Sequence, residues 1–295
     1  MAESAALHRQ HESERLAARL PPLLVAAERV AATVAQGVHG RRRVGLGESF
    51  WQFRRYEPGD NITRIDWRQS AKNDPVFVRE TEWEAAQSVY LWRDGSPSMN
   101  WRARKDRPTK RERADLLLLA TAVLLIRGGE RIALLAGDQP PSASRAVLNR
   151  LALHLTQQAG HQDGASLPAR RILPRHAQVV LFSDFLSPLA EIHATLQQMT
   201  GMGVRGHLVH ILDPAEESLP FEGRVEFRGL EGEARLLVPR VEGIRDAYRE
   251  RLAAHREGLA ALARTAGWSL TTHHTDRPAQ VPLLTLHGAV SQNTK

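Results

Sequence analysis

A chain of 295 residues with 42% hydrophobic and 25% charged residues suits one large α/β domain with an appendage, or two domains, and excludes wholesale disorder. It has no cysteine, which rules out disulfide frameworks, zinc ribbons and cysteine nucleophiles. Lys+Arg 40 against Asp+Glu 33 leave a formal charge of +7, a balance that favours anionic partners such as acidic protein faces, nucleic acid or membrane surfaces.

Residues 3–36 carry Leu7, Leu16, Leu20, Leu23, Leu24 and Val30 among many charges and predict helix, split in two at Pro21-Pro22. Gly37 and Gly40 end that pattern, so residues 1–40 form an N-terminal helical region. The stretch lacks the basic-then-apolar order of a secretory signal. The longest apolar run, Leu116 to Ile126, is about half of the ~20 residues a spanning helix needs. Cytoplasm is the expected address, with peripheral membrane attachment left open. Residues 41–85 are Arg-rich, aromatic and Gly-punctuated, which predicts a small β-rich extension with a turn at Glu57-Pro58-Gly59-Asp60.

Residues 86–290 alternate between two periods. Strands are predicted at 89–92, 132–136, 178–182, 204–212 and 268–273, helices at 116–126, 143–158, 189–199 and 241–266, and a hairpin at 224–238. Alternation of this kind indicates a mostly parallel sheet with helices on both faces.

The chemistry concentrates at Asp94-Gly95-Ser96-Pro97-Ser98-Met99, directly after the buried-strand candidate Val89–Trp92. Ligands in open α/β sheets sit beyond the carboxyl ends of strands. One carboxylate and two hydroxyls at alternate positions supply hard oxygen ligands, which suit Mg²⁺ or Mn²⁺. Asp184 follows Val179–Phe182 just as Asp94 follows its own strand, and two strand-end aspartates are what a shared metal would need. A single Asp in direct contact leaves the ion positive and open to a carboxylate from another molecule.

This D-x-S-x-S pattern resembles the metal-ion-dependent adhesion site of von Willebrand factor A domains. The resemblance makes Asp94, Ser96 and Ser98 direct metal ligands and gives Asp184 the later, water-mediated role. That family also places a Thr on an intervening loop; residues 137–144 offer none, and Ser142 or Ser144 stand as substitutes. Upstream, Phe53-Arg54-Arg55-Tyr56-Glu57-Pro58-Gly59-Asp60, Arg64-Ile65-Asp66-Trp67-Arg68 and Ser70-Ala71 resemble the signature of the domain of unknown function 58 family. The later Asp213-Pro214-Ala215-Glu216, Leu219-Pro220-Phe221 and Gly223 fit the same family. The resemblance implies a von Willebrand A-like fold and association with a MoxR-type AAA+ ATPase that matures or remodels other proteins. It carries no defined biochemical activity.

Among the basic residues, Arg54, Arg55, Arg64 and Arg68 are expected to pair internally with Glu48, Glu57, Asp60 and Asp66, a structural role shared by Tyr56, Pro58, Gly59 and Trp67. Arg41, Arg42 and Arg43 stay open between that role and an acidic or phosphate partner. The segment Trp101–Arg113 reads either as a solvated loop or as a positive rim that steers an acidic partner, with Arg102, Arg104, Lys105 and Arg107 as contacts and Lys110, Arg111 and Arg113 on the same rim. Gly201, Gly203 and Gly206 follow a helix and open a strand, the reverse of a dinucleotide fingerprint. No phosphate-binding G-x-x-x-x-G-K-[ST], H-E-x-x-H or nucleophile elbow is present. The expected function is a non-enzymatic, metal-assisted protein-binding module. The alternative is a nucleic-acid or anionic-surface binder using the Arg-rich segments with Trp51, Trp67 and Trp101, and a metal-dependent hydrolase is the third reading.

Overall fold

The computed structural model describes residues 22–39, 50–57, 65–72, 75–81, 87–158, 164–230, 232 and 234–292. The expected helix before Pro22, Arg41 to Arg43, Glu48, the turn residues Pro58 to Asp60, and Arg64 lie outside the described residues. The chain divides into a small unit, residues 39–86, and a larger one made of residues 1–38 and 87–295.

Helix α1 (Pro22–His39) begins on its proline, where the missing N–H costs nothing. Its Leu24, Ala27, Ala31 and Val34 recur at helical spacing and are buried in the core of the larger unit. The apolar stripe of α1 covers the main core.

In the small unit, β1 (Phe50–Arg55) pairs antiparallel with β2 (Phe77–Thr81), with Arg54 opposite Val78. Between them one turn of helix, α2 (Trp67–Ser70), interrupts the expected strands and turns. Asp66 caps it by accepting the Gln69 N–H at 2.9 Å. The Ser70 hydroxyl donates to the Asp66 carbonyl and accepts the Phe77 N–H, tying helix to strand. Arg55, Trp67 and Arg68 are exposed and Tyr56 is half-buried.

The larger unit is a mixed α/β fold on a five-stranded parallel sheet. Its strands are β3 (Ser88–Arg93), β4 (Arg131–Leu134), β5 (Gln178–Ser183), β6 (Arg205–Leu212) and β9 (Ser269–His274), in the order β4-β3-β5-β6-β9. Strand side chains alternate between two faces. Val89, Leu91, Val180, Phe182, Val209 and Ile211 enter one core and Tyr90, Trp92, Val179, Leu181 and Leu208 the other. The first core is closed by α1, α3 (Lys110–Arg127), α4 (Ala146–Gln158) and α8 (Gln280–Gln292), the second by α5 (Leu189–Gly201) and α7 (Arg245–Ala266). Helix α3 starts six residues before its apolar run because Thr109 and Glu112 form a reciprocal capping box. Its residues Leu117 to Leu125 are all buried, so several elements must surround it. Helix α8 has no counterpart among the predicted elements, although Leu283, Leu286 and Val290 carry a helical period.

A short helix, α6 (Pro214–Ser218), and a hairpin of β7 (Val225–Phe227) and β8 (Leu236–Val238) lie between β6 and α7. Gly206 lies under Trp268: a Cβ there would fall 2.1 Å from the indole ring. Among the described residues no helix is long and apolar enough to cross a membrane.

Candidate functional site at the carboxyl edge of the sheet

Strands β3, β5 and β6 each run directly into an aspartate, Asp94, Asp184 and Asp213 respectively. All three are buried. The Asp94 N–H donates to the Phe182 carbonyl at 2.8 Å and the Gly95 N–H to the Ala165 carbonyl at 3.1 Å. Gly95 and Gly164 pass so closely that a Cβ on Gly164 would meet the Gly95 carbonyl oxygen at 2.2 Å, so neither position has room for a side chain. These contacts pin the loop that carries the D-x-S-x-S residues.

Asp94 Oδ1 accepts the Ser96 N–H at 2.8 Å and Oδ2 accepts the Ser183 hydroxyl at 2.5 Å. Ser96 and Ser98 lie on a single 3₁₀ turn, with their Oγ atoms 3.0 Å apart. The Ser98 hydroxyl donates to Asp184 Oδ2 at 2.8 Å. Phe185 holds the left-handed φ of 47°, rare for a bulky side chain, where the Leu186 N–H reaches Asp184 Oδ1 at 3.3 Å. Asp94, Ser96, Ser98 and Asp184 thus form one hydrogen-bonded group at one edge of the sheet.

Ser142 and Ser144 do not join them. Ser142 makes an antiparallel bridge to Ile132, which pairs with Val89 at the opposite end of β3. Asp94 lies five residues beyond Val89, roughly 16 Å at strand rise. Ser144 accepts the Ala146 N–H at the start of α4. The loop doubles back along β4 instead of rising over the sheet edge, which removes both as ligand candidates.

Lys110 does join them. It is not on the basic rim but 1% exposed. Its ammonium donates to Asp184 Oδ2 at 2.7 Å and to Glu216 Oε1. Glu216 is oriented in turn by a capping box at α6, in which its Oε2 accepts the Asp213 N–H at 2.8 Å. Burial alone would lower the Lys110 pKa, but Asp184 and Glu216 outweigh it and hold the pKa above the ordinary lysine value. Burial, reinforced by the like charge of Asp184, pushes the Asp94 carboxyl up to about 7. Burial likewise raises Glu216.

A second ionic group lies alongside. Arg93 Nε and Asp115 Oδ1 are 2.8 Å apart, both nearly inaccessible. Arg111, also buried, donates to the Gly95 carbonyl at 2.7 Å. Arg113 is half-buried and donates to the Thr275 carbonyl. Of the expected rim, Arg102, Arg104 and Lys105 are exposed and Arg107 is half-buried. Arg104 pairs with Asp106 at 3.0 Å. The Ala103 N–H donates to Asp213 Oδ2 at 3.2 Å, which fastens this loop to the sheet edge. Beside it opens a cleft of about 580 Å³, whose lining includes Ser98, Lys110, Asp184, Glu216, Leu186 and Arg228.

The oxygens of this group are the hard donors that Mg²⁺ or Mn²⁺ takes, but the chain already supplies their partners. The Lys110 ammonium meets Asp184 on the same Oδ2 that Ser98 uses, and both Asp94 oxygens carry donors. A divalent ion on that oxygen would face a fixed positive charge across a short distance. Among the described residues no three His, Asp or Glu side chains are arranged to hold a metal. The donor set as placed fits a tethered ammonium and does not fit the expected Mg²⁺ or Mn²⁺.

Sequence reasoning missed Lys110, Ser183 and Glu216 as members of the group. Two signals bore on Glu216 and Lys110: a third strand-end aspartate, Asp213, opens D-P-A-E, and Lys110 follows a Thr109 cap.

A model of the family described as "Protein of unknown function DUF58" matches residues 52–258. Uncharacterized proteins of Mycobacterium tuberculosis and Mycobacterium bovis are each 25% identical over 290 residues, covering 90% of this chain and 87% of the relative. Among solved structures, BatB from Bacteroides thetaiotaomicron has a TM-score of 0.41 at 13% identity, covering 70% of this chain and 98% of that one. An aerotolerance-related membrane protein from Bacteroides fragilis also has a TM-score of 0.41, at 14% identity, covering 70% of this chain and 100% of that one.

Proposed function

The chain belongs to the DUF58 family, and we propose that it is a non-enzymatic protein-interaction module, with a von Willebrand A-like sheet whose carboxyl edge docks an acidic segment of a partner. The family resemblance makes a cytoplasmic MoxR-type AAA+ ATPase the partner class. The observation that carries the reading is the fastened basic loop: Arg102 and Lys105 are exposed and Arg107 half-buried on a loop whose backbone is held by Asp213 and whose Trp101 lines the cleft. A fixed loop loses little conformational freedom on docking, so its charge serves both steering and specificity. The buried carboxylates support a non-enzymatic role. Asp94 and Asp184 are buried, and their hydrogen bonds to Ser96 and Ser98 hold the loops in place. Docking in this form is direct, with no bridging Mg²⁺.

The test uses a purified, nucleotide-free MoxR-type AAA+ ATPase from the same organism and biolayer interferometry. The triple variant Arg102→Glu, Lys105→Glu, Arg107→Glu is expected to bind at least about tenfold more weakly, with an unchanged circular dichroism spectrum and no effect of EDTA. Unchanged affinity sinks the proposal. Tight, steeply salt-dependent binding of duplex DNA, lost in the same variant, would replace it with nucleic-acid recognition.

A further inference from the structure

We infer that Lys110 takes the place of a divalent cation, so that the D-x-S-x-S edge of this chain is a cation site filled by its own lysine. Three observations carry this. The ammonium lies on the shared Asp184 Oδ2, the oxygen that also accepts the Ser98 hydroxyl, and so stands within the group of hard donors. It is held from both ends: the Thr109–Glu112 capping box fixes the start of α3, and the Asp213–Glu216 capping box presents the second carboxylate. The lysine side chain is 1% exposed, and its two carboxylate partners come from the end of β5 and from α6, so it joins three separate segments as a metal ion would.

The charges also match this assignment. Asp184 and Glu216 together offer two negative charges to one positive charge, with the buried Asp94 close behind. Removing the ammonium leaves carboxylate and hydroxyl oxygens around an uncompensated position beside the cleft, the condition under which a hard dication binds. The site is thereby independent of divalent ions in the wild type and becomes divalent when the lysine is neutralised.

The test is a titration with Mn²⁺ alone at pH 8, with free ion read by electron paramagnetic resonance, on wild type, Lys110→Met and Lys110→Gln. The wild type is expected to leave Mn²⁺ free. Lys110→Met is expected to bind one ion at least about tenfold more tightly, and adding Asp184→Asn should abolish that gain. Stoichiometric binding by the wild type, lost in Asp184→Asn, overturns the inference. So does a failure of both lysine variants to bind more tightly than the wild type. If Lys110→Met is unfolded without metal, recovery of its thermal transition on adding Mn²⁺ supports the inference, and no Mn²⁺ response in it or in Lys110→Gln overturns it.

Discussion

Two buried ionic groups share the first two turns of α3, and they are unbalanced in opposite directions. On one side Lys110 faces Asp184 and Glu216, with Asp94 nearby; on the other Arg93 and Arg111 share Asp115. The first group is anionic and opens onto the cleft, the second is cationic and lies under the loop it supports. Arg111 donates to the Gly95 carbonyl and Arg93 to the Asp94 carbonyl at 3.1 Å, so the cationic group is tied to the same backbone whose side chains form the anionic one. Excess charge of each sign is tolerable because the other sits beside it. A buried pair standing alone would gain little over an apolar replacement.

The comparison breaks most severely at Lys110. Lys110→Met leaves Asp184 and Glu216 buried without a cation, and the expected loss is about 3–5 kcal/mol of unfolding free energy, read by urea denaturation at pH 8 in EDTA. Arg93→Met should cost less, about 2–3 kcal/mol in the same measurement, because Arg111 remains to face Asp115. Equal losses would show that the two groups are not distinguished by having a substitute cation.

Asp94 is raised to about 7 by burial and Asp184, whereas Asp115 is raised by burial only to about 6, because Arg93 and Arg111 pull it back. Carbon-detected NMR titration of the carboxyl groups should place Asp94 above Asp115. A carboxyl whose folded pKa lies above its unfolded value of 3.8 holds a proton in the native state that the unfolded chain has released. Stability from this source is greatest at low pH and declines as pH rises from about 4 to about 7. The decline is about 1.4 kcal/mol per pH unit for one proton. Asp94→Asn should flatten that part of the curve. A wild-type curve that coincides with the variant's across the window would refute the raised value.

Much of this edge was legible in the sequence. A run such as Val179–Phe182 announces a buried strand, its end is marked by an aspartate, and the alternate spacing of Asp94, Ser96 and Ser98 sends all three toward one point. Each of those signals is local. Lys110 is separated from Ser98 by a basic loop in which every cation looks equally solvated, and only the positions of Asp184 and Glu216, 74 and 106 residues later, draw this one inward. Ser142 and Ser144 were misplaced for a related reason. Their loop length allows a climb over the sheet edge, and the bridge to Ile132 that turns it back is a backbone pairing with no side-chain signature. Helix α1 shows the same limit in the core: its stripe of Leu24, Ala27, Ala31 and Val34 is plain, but which surface it covers depends on α3 being apolar on every side.

What the order of residues determined alone was the set of elements, their caps and the convergence of oxygens at the carboxyl edge, because hydrophobic period and capping act over a few residues. Tertiary structure decided which charge meets those oxygens. An ammonium leaves water only where carboxylates from distant loops are already in place to receive it, and no segment of the chain carries that information by itself.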